Sequence, residues 1–128
     1  MLKANAAFSS FSVRDIFKTK NFYQEILGLS VEEDKMGGMN ISLPQGGTVY
    51  VYQKDDHMPA TYTVLNFDVD KIEDAMDQLK SQGVMFEHYE GMTDEKGIAR
   101  GLGSDRVTDI AWFKDPDGNT FSIMHTKA

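Results

Sequence analysis

Phe11-Ser12-Val13 with Asp15 behind it, and Phe67-Asp68-Val69 with Asp70 behind it, open two halves of this chain that run in the same order. In each half an alternating apolar stretch leads into apolar residues at helical spacing, and then into three short apolar runs. Alternation places successive side chains on opposite faces of a strand, whereas recurrence at three and four residues places them on one face of a helix. Internal duplication constrains the fold before composition does, because whatever one half builds the other must build as well.

Phe8 to Val13 reads as the first strand, with Phe11 and Val13 on one face and Ser10 and Ser12 on the other. Asp15 is placed to cap a helix running to about Leu27, with Ile16, Tyr23, Ile26 and Leu27 on its buried side and Gly28 as a left-handed terminus. Short strands are expected at about 29–34, 38–43 and 47–53, the last two joined by Pro44-Gln45-Gly46-Gly47. In the second half Leu65, Phe67 and Val69 alternate with Asn66 and Asp68. Asp70 and Glu73 have capping-box spacing, and Ile72, Ala75, Met76 and Leu79 form the apolar stripe of a helix that Gly83 closes. Strands are expected at about 84–89, 107–114 and 119–125.

The fold class expected is α+β: two tandem βαβββ modules, about 6–53 and 61–126, joined by the link Lys54–Ala60 within a single domain, 1–128. Side by side they would form a curved mixed sheet around a cup with the helices outside. The loop Glu90–Arg106 carries Gly91, Gly97, Gly101 and Gly103, and its length suggests a mobile lid. On that lid Lys96, Arg100 and Arg106 would meet an anionic group of a ligand.

Composition narrows the chemistry. The chain has no cysteine, which removes thiol nucleophiles and thiolate metal sites together. A formal charge of −7 opposes a nucleic-acid partner, since phosphate binding needs clustered Lys and Arg. No run approaches the 18 or so apolar residues of a membrane span, and no secretory leader is visible, so no membrane partner and a cytoplasmic location are expected.

The order of elements, FYQEILGL at 22–29 and above all WFKDPDGN at 112–119 resemble the vicinal oxygen chelate superfamily, which comprises glyoxalase I, bleomycin-resistance proteins and extradiol dioxygenases. The resemblance covers nearly the whole chain and implies the fold more firmly than a reaction, because this scaffold hosts isomerases, dioxygenases, thiol transferases and pure binding proteins. Metal-using members place four ligands in the cup. Carried over residue by residue, those positions fall on Phe8, on Val64 or Thr63, on Tyr50 and on Ser122. A divalent metal in such a site needs imidazole and carboxylate donors. No histidine precedes His57 and no acidic residue follows Asp117, so no shift of alignment restores the ligands of the first and last strands. The chain is therefore expected to be a member without metal or other cofactor and, like many members, a homodimer.

If the ligand positions face inward, Phe8, Tyr50, Tyr52, Asn66, Trp112 and Ser122 line the cup and are the expected ligand-binding residues. Rings interspersed with amide and hydroxyl groups suit a small, partly aromatic organic molecule, sequestered or sensed as by the antibiotic-resistance members. The alternative is an isomerase- or lyase-type enzyme, glyoxalase- or dioxygenase-like, with Glu87, His88 or Asp68 as acid or base, since general-base work needs only one such group beside a substrate proton. Alternation allows either Phe86 with His88 or Glu87 with Tyr89 to look inward. His57 is expected at the surface between acidic neighbours, and His125 has the wrong parity for the cup. Asp115, Asp117 and Asn119 have the chemistry of a turn rather than of a calcium loop.

Overall fold

Residues 1–127 are described by the computed structural model, in two compact units that meet in sequence at Pro59 and Ala60. In the first unit β1 (Ser9–Val13) leads into α1 (Ile16–Asn21), and β2 (Ser30–Glu33), β3 (Met39–Ser42) and β4 (Thr48–Gln53) follow. Asp15 caps α1 as expected, its carboxylate accepting from the Phe17 and Lys18 amides at 3.1 and 3.2 Å. The helix does not run straight on to Leu27. It widens over Phe22–Ile26 into a π-helical turn, with the Leu27 amide bonded to the Phe22 carbonyl. The extra residue in that turn rotates the apolar face. Thr19, Phe22 and Tyr23 are buried, whereas Ile16, Ile26 and Leu27 are half-buried. Gly28 ends the segment at φ 69°.

The sheet order is β1-β4-β3-β2, with β1 and β4 parallel and the remaining pairs antiparallel. Its register aligns Phe11 with Val51, and Val51 with Met39, while Ser10 aligns with Tyr50, and Tyr50 with Asn40. One face is thus apolar: Phe11, Val13, Met39, Ile41, Val49 and Val51 are all buried. Tyr23, fully buried, meets Phe11 edge-on with ring centres 6.3 Å apart. Side chains of this size contribute about 1.5–3 kcal/mol each when withdrawn from water, which fixes the strand parity: a slip of one residue would expose the whole row.

The second unit repeats the plan with β5 (Thr63–Asp68), α2 (Ile72–Ser81), β6 (Ile98–Leu102), β7 (Thr108–Lys114) and β8 (Thr120–Thr126), in the order β5-β8-β7-β6. Ile72 and Met76 are the buried residues of α2, which packs on β7 and β8. The expected cap is absent. Lys71 occupies the N-cap position in extended conformation and makes no side-chain cap bond. Glu73 does not reach back to Asp70 but binds Lys96 and Arg100, because two cations offer a carboxylate more than one exposed amide does. Among the described residues no helix is long and apolar enough to cross a membrane.

The strand expected at 84–89 is also absent. That stretch makes a single bridge, between Phe86 and Phe113, and the fourth strand is instead β6, inside the segment expected to be a lid. Ile98 and Ala99 are fully buried and pair with Ala111 and Ile110. The middle of the expected lid, Ile98–Leu102, is therefore a strand of the sheet, and two of its three cations, Lys96 and Arg100, are engaged within the protein. Lys96 binds Glu73, and Arg100 lies against Asp94, Glu73 and the buried Asp109. Asp109 also accepts the Gly101 amide at 2.8 Å.

A five-residue turn recurs at four places in the chain. From Asp115 to Asn119 the first amide binds the fifth carbonyl at 3.0 Å and the fourth amide binds the first carbonyl at 3.0 Å. Asp94–Ile98 and Asp34–Gly38 repeat both bonds, and Leu43–Gly47 repeats them without the aspartate. In the first three the aspartate carboxylate caps amides of its own turn. The glycine in fourth position has φ between 90° and 99° in all four, a conformation that only glycine adopts cheaply.

Candidate binding faces

Each sheet has one face under apolar packing and an opposite face of polar and aromatic side chains. On the first sheet that open face carries Ser10, Ser12, Tyr50, Tyr52 and Asn40. Tyr50 and Tyr52 stand near-parallel, 18° between planes and 6.3 Å between centres. Gly38 permits this arrangement: a Cβ there would overlap the Tyr50 phenol and come within 2.8 Å of the Val51 carbonyl oxygen. Phe8 precedes β1 and is 65% exposed.

His57 overturns the surface expectation, being only 2% exposed. Its Nδ1 lies 2.7 Å from the Ser12 hydroxyl, and its carbonyl accepts from the Arg14 guanidinium at 3.0 Å. These two β1-end partners fold the link back onto the strand, which the charge of the neighbouring Asp55 and Asp56 concealed. A cleft of about 230 Å³ lies instead beside the start of α1, between Phe17, Lys20, Glu33 and Gly38. A Lys20–Glu33 ion pair at 3.0 Å flanks it, and none of the expected ligand-binding residues lines it.

On the second sheet Asn66, Ser122 and Trp112 are register partners in one row across β5, β8 and β7. A register shift between Thr63 and Leu65 decides the ambiguity at the start of β5. The bulge turns Thr63, rather than Val64, toward the Trp112 face, where its hydroxyl accepts from the indole Nε1 at 3.2 Å. Glu87 and Tyr89 share that face. The Glu87 amide binds the Trp112 carbonyl at 2.8 Å, its carboxylate lies 4.0 Å from Lys114, and the Tyr89 ring meets the indole edge-on at 5.5 Å. Burial, reinforced by the Glu87 carboxylate, pushes the Tyr89 phenol above its ordinary pKa. Phe86 points the other way, edge-on to Phe113 at 5.7 Å.

The remaining candidates stand apart. His88 is exposed, outside any strand, and Asp68 is exposed at the end of β5. The Nδ1 of His125 lies 2.9 Å from the Val69 carbonyl, so that nitrogen carries the proton. Asp115 and Asn119 are buried within their own turn, as turn chemistry requires.

These positions do not fit a divalent metal. Phe8 offers no donor atom, the Thr63 hydroxyl is engaged by Trp112, and Ser122 is fully buried and bonded to Asn66. Among the described residues no three His, Asp or Glu side chains converge.

The architecture is shared with solved proteins. One is a superfamily member from Sphaerobacter thermophilus, 23% identical over 98% of this chain and 99% of that one, with a TM-score of 0.70. The fosfomycin resistance protein FosX of Listeria monocytogenes is 16% identical over 98% and 96%, with a TM-score of 0.70. The antibiotic-binding protein TnmS3 of a Streptomyces species is 20% identical over 99% of each chain, with a TM-score of 0.67. At such identities the likeness establishes the fold. The family model for the glyoxalase, bleomycin resistance protein and dioxygenase superfamily matches residues 8–123, and with its two βαβββ modules this chain belongs to that superfamily.

Proposed function

We propose that this protein binds a small, partly aromatic organic molecule on the open faces of its sheets, without a divalent metal. One observation carries the reading: where metal-using relatives need imidazole and carboxylate donors, these faces present rings with hydrogen-bonding groups among them. Tyr50 and Tyr52 stand parallel on one sheet, and Trp112 and Tyr89 pack together on the other. Stacking on such rings contributes about 0.5–1.5 kcal/mol per pair beyond the area buried. That two structural neighbours are named for antibiotic resistance and antibiotic binding supports a small-molecule role.

The same reading includes a homodimer. Hydrogen bonding within each four-stranded sheet stops at its outer strands, and edges of this kind are commonly covered by a second copy.

Calorimetric titration with a panel of flat bicyclic and tricyclic aromatic compounds tests the binding role. Saturable binding is expected, with Trp112 emission altered, and Tyr50→Ala or Trp112→Ala should weaken it by about tenfold. Protein purified without chelator should carry far less than one equivalent of zinc, nickel, manganese or iron. A panel-wide blank, or one equivalent of metal, would overturn the reading.

A further inference from the structure

Ser122 is fully buried, yet its hydroxyl is not idle: it donates to the Asn66 Oδ1 at 2.5 Å. The carbonyl end of the Asn66 amide thus faces Ser122. The amide nitrogen is turned away. It has no hydrogen-bond partner among the described residues, and Asn66 itself is exposed. In the same row the indole of Trp112 has already committed its own donor to Thr63. What remains beside the aromatic surface is a fixed pair of N–H donors with no acceptor opposite them.

We infer that Asn66 reads an acceptor oxygen on the ligand while Trp112 stacks on its rings. Asn66 and Trp112 lie on β5 and β7 with β8 between them. Strands are spaced by about 4.8 Å, which separates the two by roughly 10 Å, about the length of a fused two-ring system with one substituent. The ligand class follows from this geometry: a fused bicyclic or larger aromatic bearing a carbonyl, carboxylate or quinone oxygen. Ser122 is the positioning residue, because an amide without that buried hydroxyl is free to rotate and present its oxygen. This assignment rests on the aromatic-binding reading above and narrows it.

A matched pair of probes tests it: 2-acetylnaphthalene and 2-ethylnaphthalene share a ring system and differ by a carbonyl in place of a methylene. The intact protein should bind the ketone about tenfold more tightly, the scale of one well-made hydrogen bond. The ketone alone should also shift the Asn66 side-chain amide resonance in proton–nitrogen correlation spectra. Asn66→Asp keeps the acceptor for Ser122 and replaces the donors by acceptors, so the preference for the ketone should vanish. Ser122→Ala should reduce the preference with Asn66 intact. Equal binding of both probes, or a preference that survives Asn66→Asp, refutes the role of Asn66 and leaves aromatic binding standing. Binding of neither probe by the intact protein refutes both.

Discussion

The recurrent aspartate turn allows one side chain to be compared in two environments. Asp115 is 4% exposed, and its carboxylate accepts from the Asp117 amide at 2.9 Å, the Asn119 amide at 2.9 Å and the Asn119 side-chain amide at 3.0 Å. Asn119 is itself 2% exposed, so Asp115→Ala removes the carboxylate acceptor of two buried donors where water cannot replace it. A stranded donor costs about 1–3 kcal/mol, which gives about 3 kcal/mol for the pair; the half-buried Asp117 amide finds water and adds little. Asp94 makes the corresponding bonds to the Lys96 and Ile98 amides at 2.9 and 3.0 Å, but its side chain is 26% exposed. Asp94→Ala strands a single buried donor, the Ile98 amide, beside a partly exposed site, so about 1 kcal/mol, the low end of that range, is expected. At about 4 °C per kcal/mol those losses correspond to melting shifts of about 12 °C and about 4 °C. Urea unfolding followed by circular dichroism, with midpoint and slope fitted separately, measures both variants. Equal losses would refute the reasoning, since the turn geometry is shared and burial is the difference invoked.

The two remaining expectations concern pH and assembly. The Ile98 amide, aided by the Arg100 guanidinium, holds the Asp94 carboxyl below its ordinary pKa, so its contribution is present above the unfolded value of about 3.9 and is lost as pH falls through the lower folded value. Asp94→Asn keeps the turn acceptor but cannot titrate, so the wild type's stability advantage should shrink as urea midpoints are taken from about pH 5 downward; an advantage constant with pH would exclude the linkage. For the homodimer, light scattering at tens of micromolar protein should give twice the chain mass, and a single-chain mass at that concentration counts against it.

Period and turn chemistry account for the features that were legible in the sequence alone. Alternation in Phe11–Val13 and Leu65–Val69 placed their apolar faces correctly, because burying a full row of side chains outweighs any local preference. Asp115-Pro116-Asp117-Gly118-Asn119 announced its turn because aspartate and glycine satisfy its bonds and dihedrals without outside help. The same signature at Asp94–Gly97 pointed to β6, but Lys96, Arg100 and four glycines made that segment resemble a loop. Which charges meet was beyond any local pattern. Glu73 prefers Lys96 and Arg100 to the start of its own helix, and His57 is drawn under cover by Ser12 and Arg14, 45 and 43 residues away in sequence. The bulge that exchanges Val64 for Thr63, and the buried hydroxyl that orients the Asn66 amide, were likewise settled only in three dimensions. Hydrogen bonds between distant residues exist only once the strands have aligned, and the energy that aligns them comes from the apolar rows rather than from the polar partners.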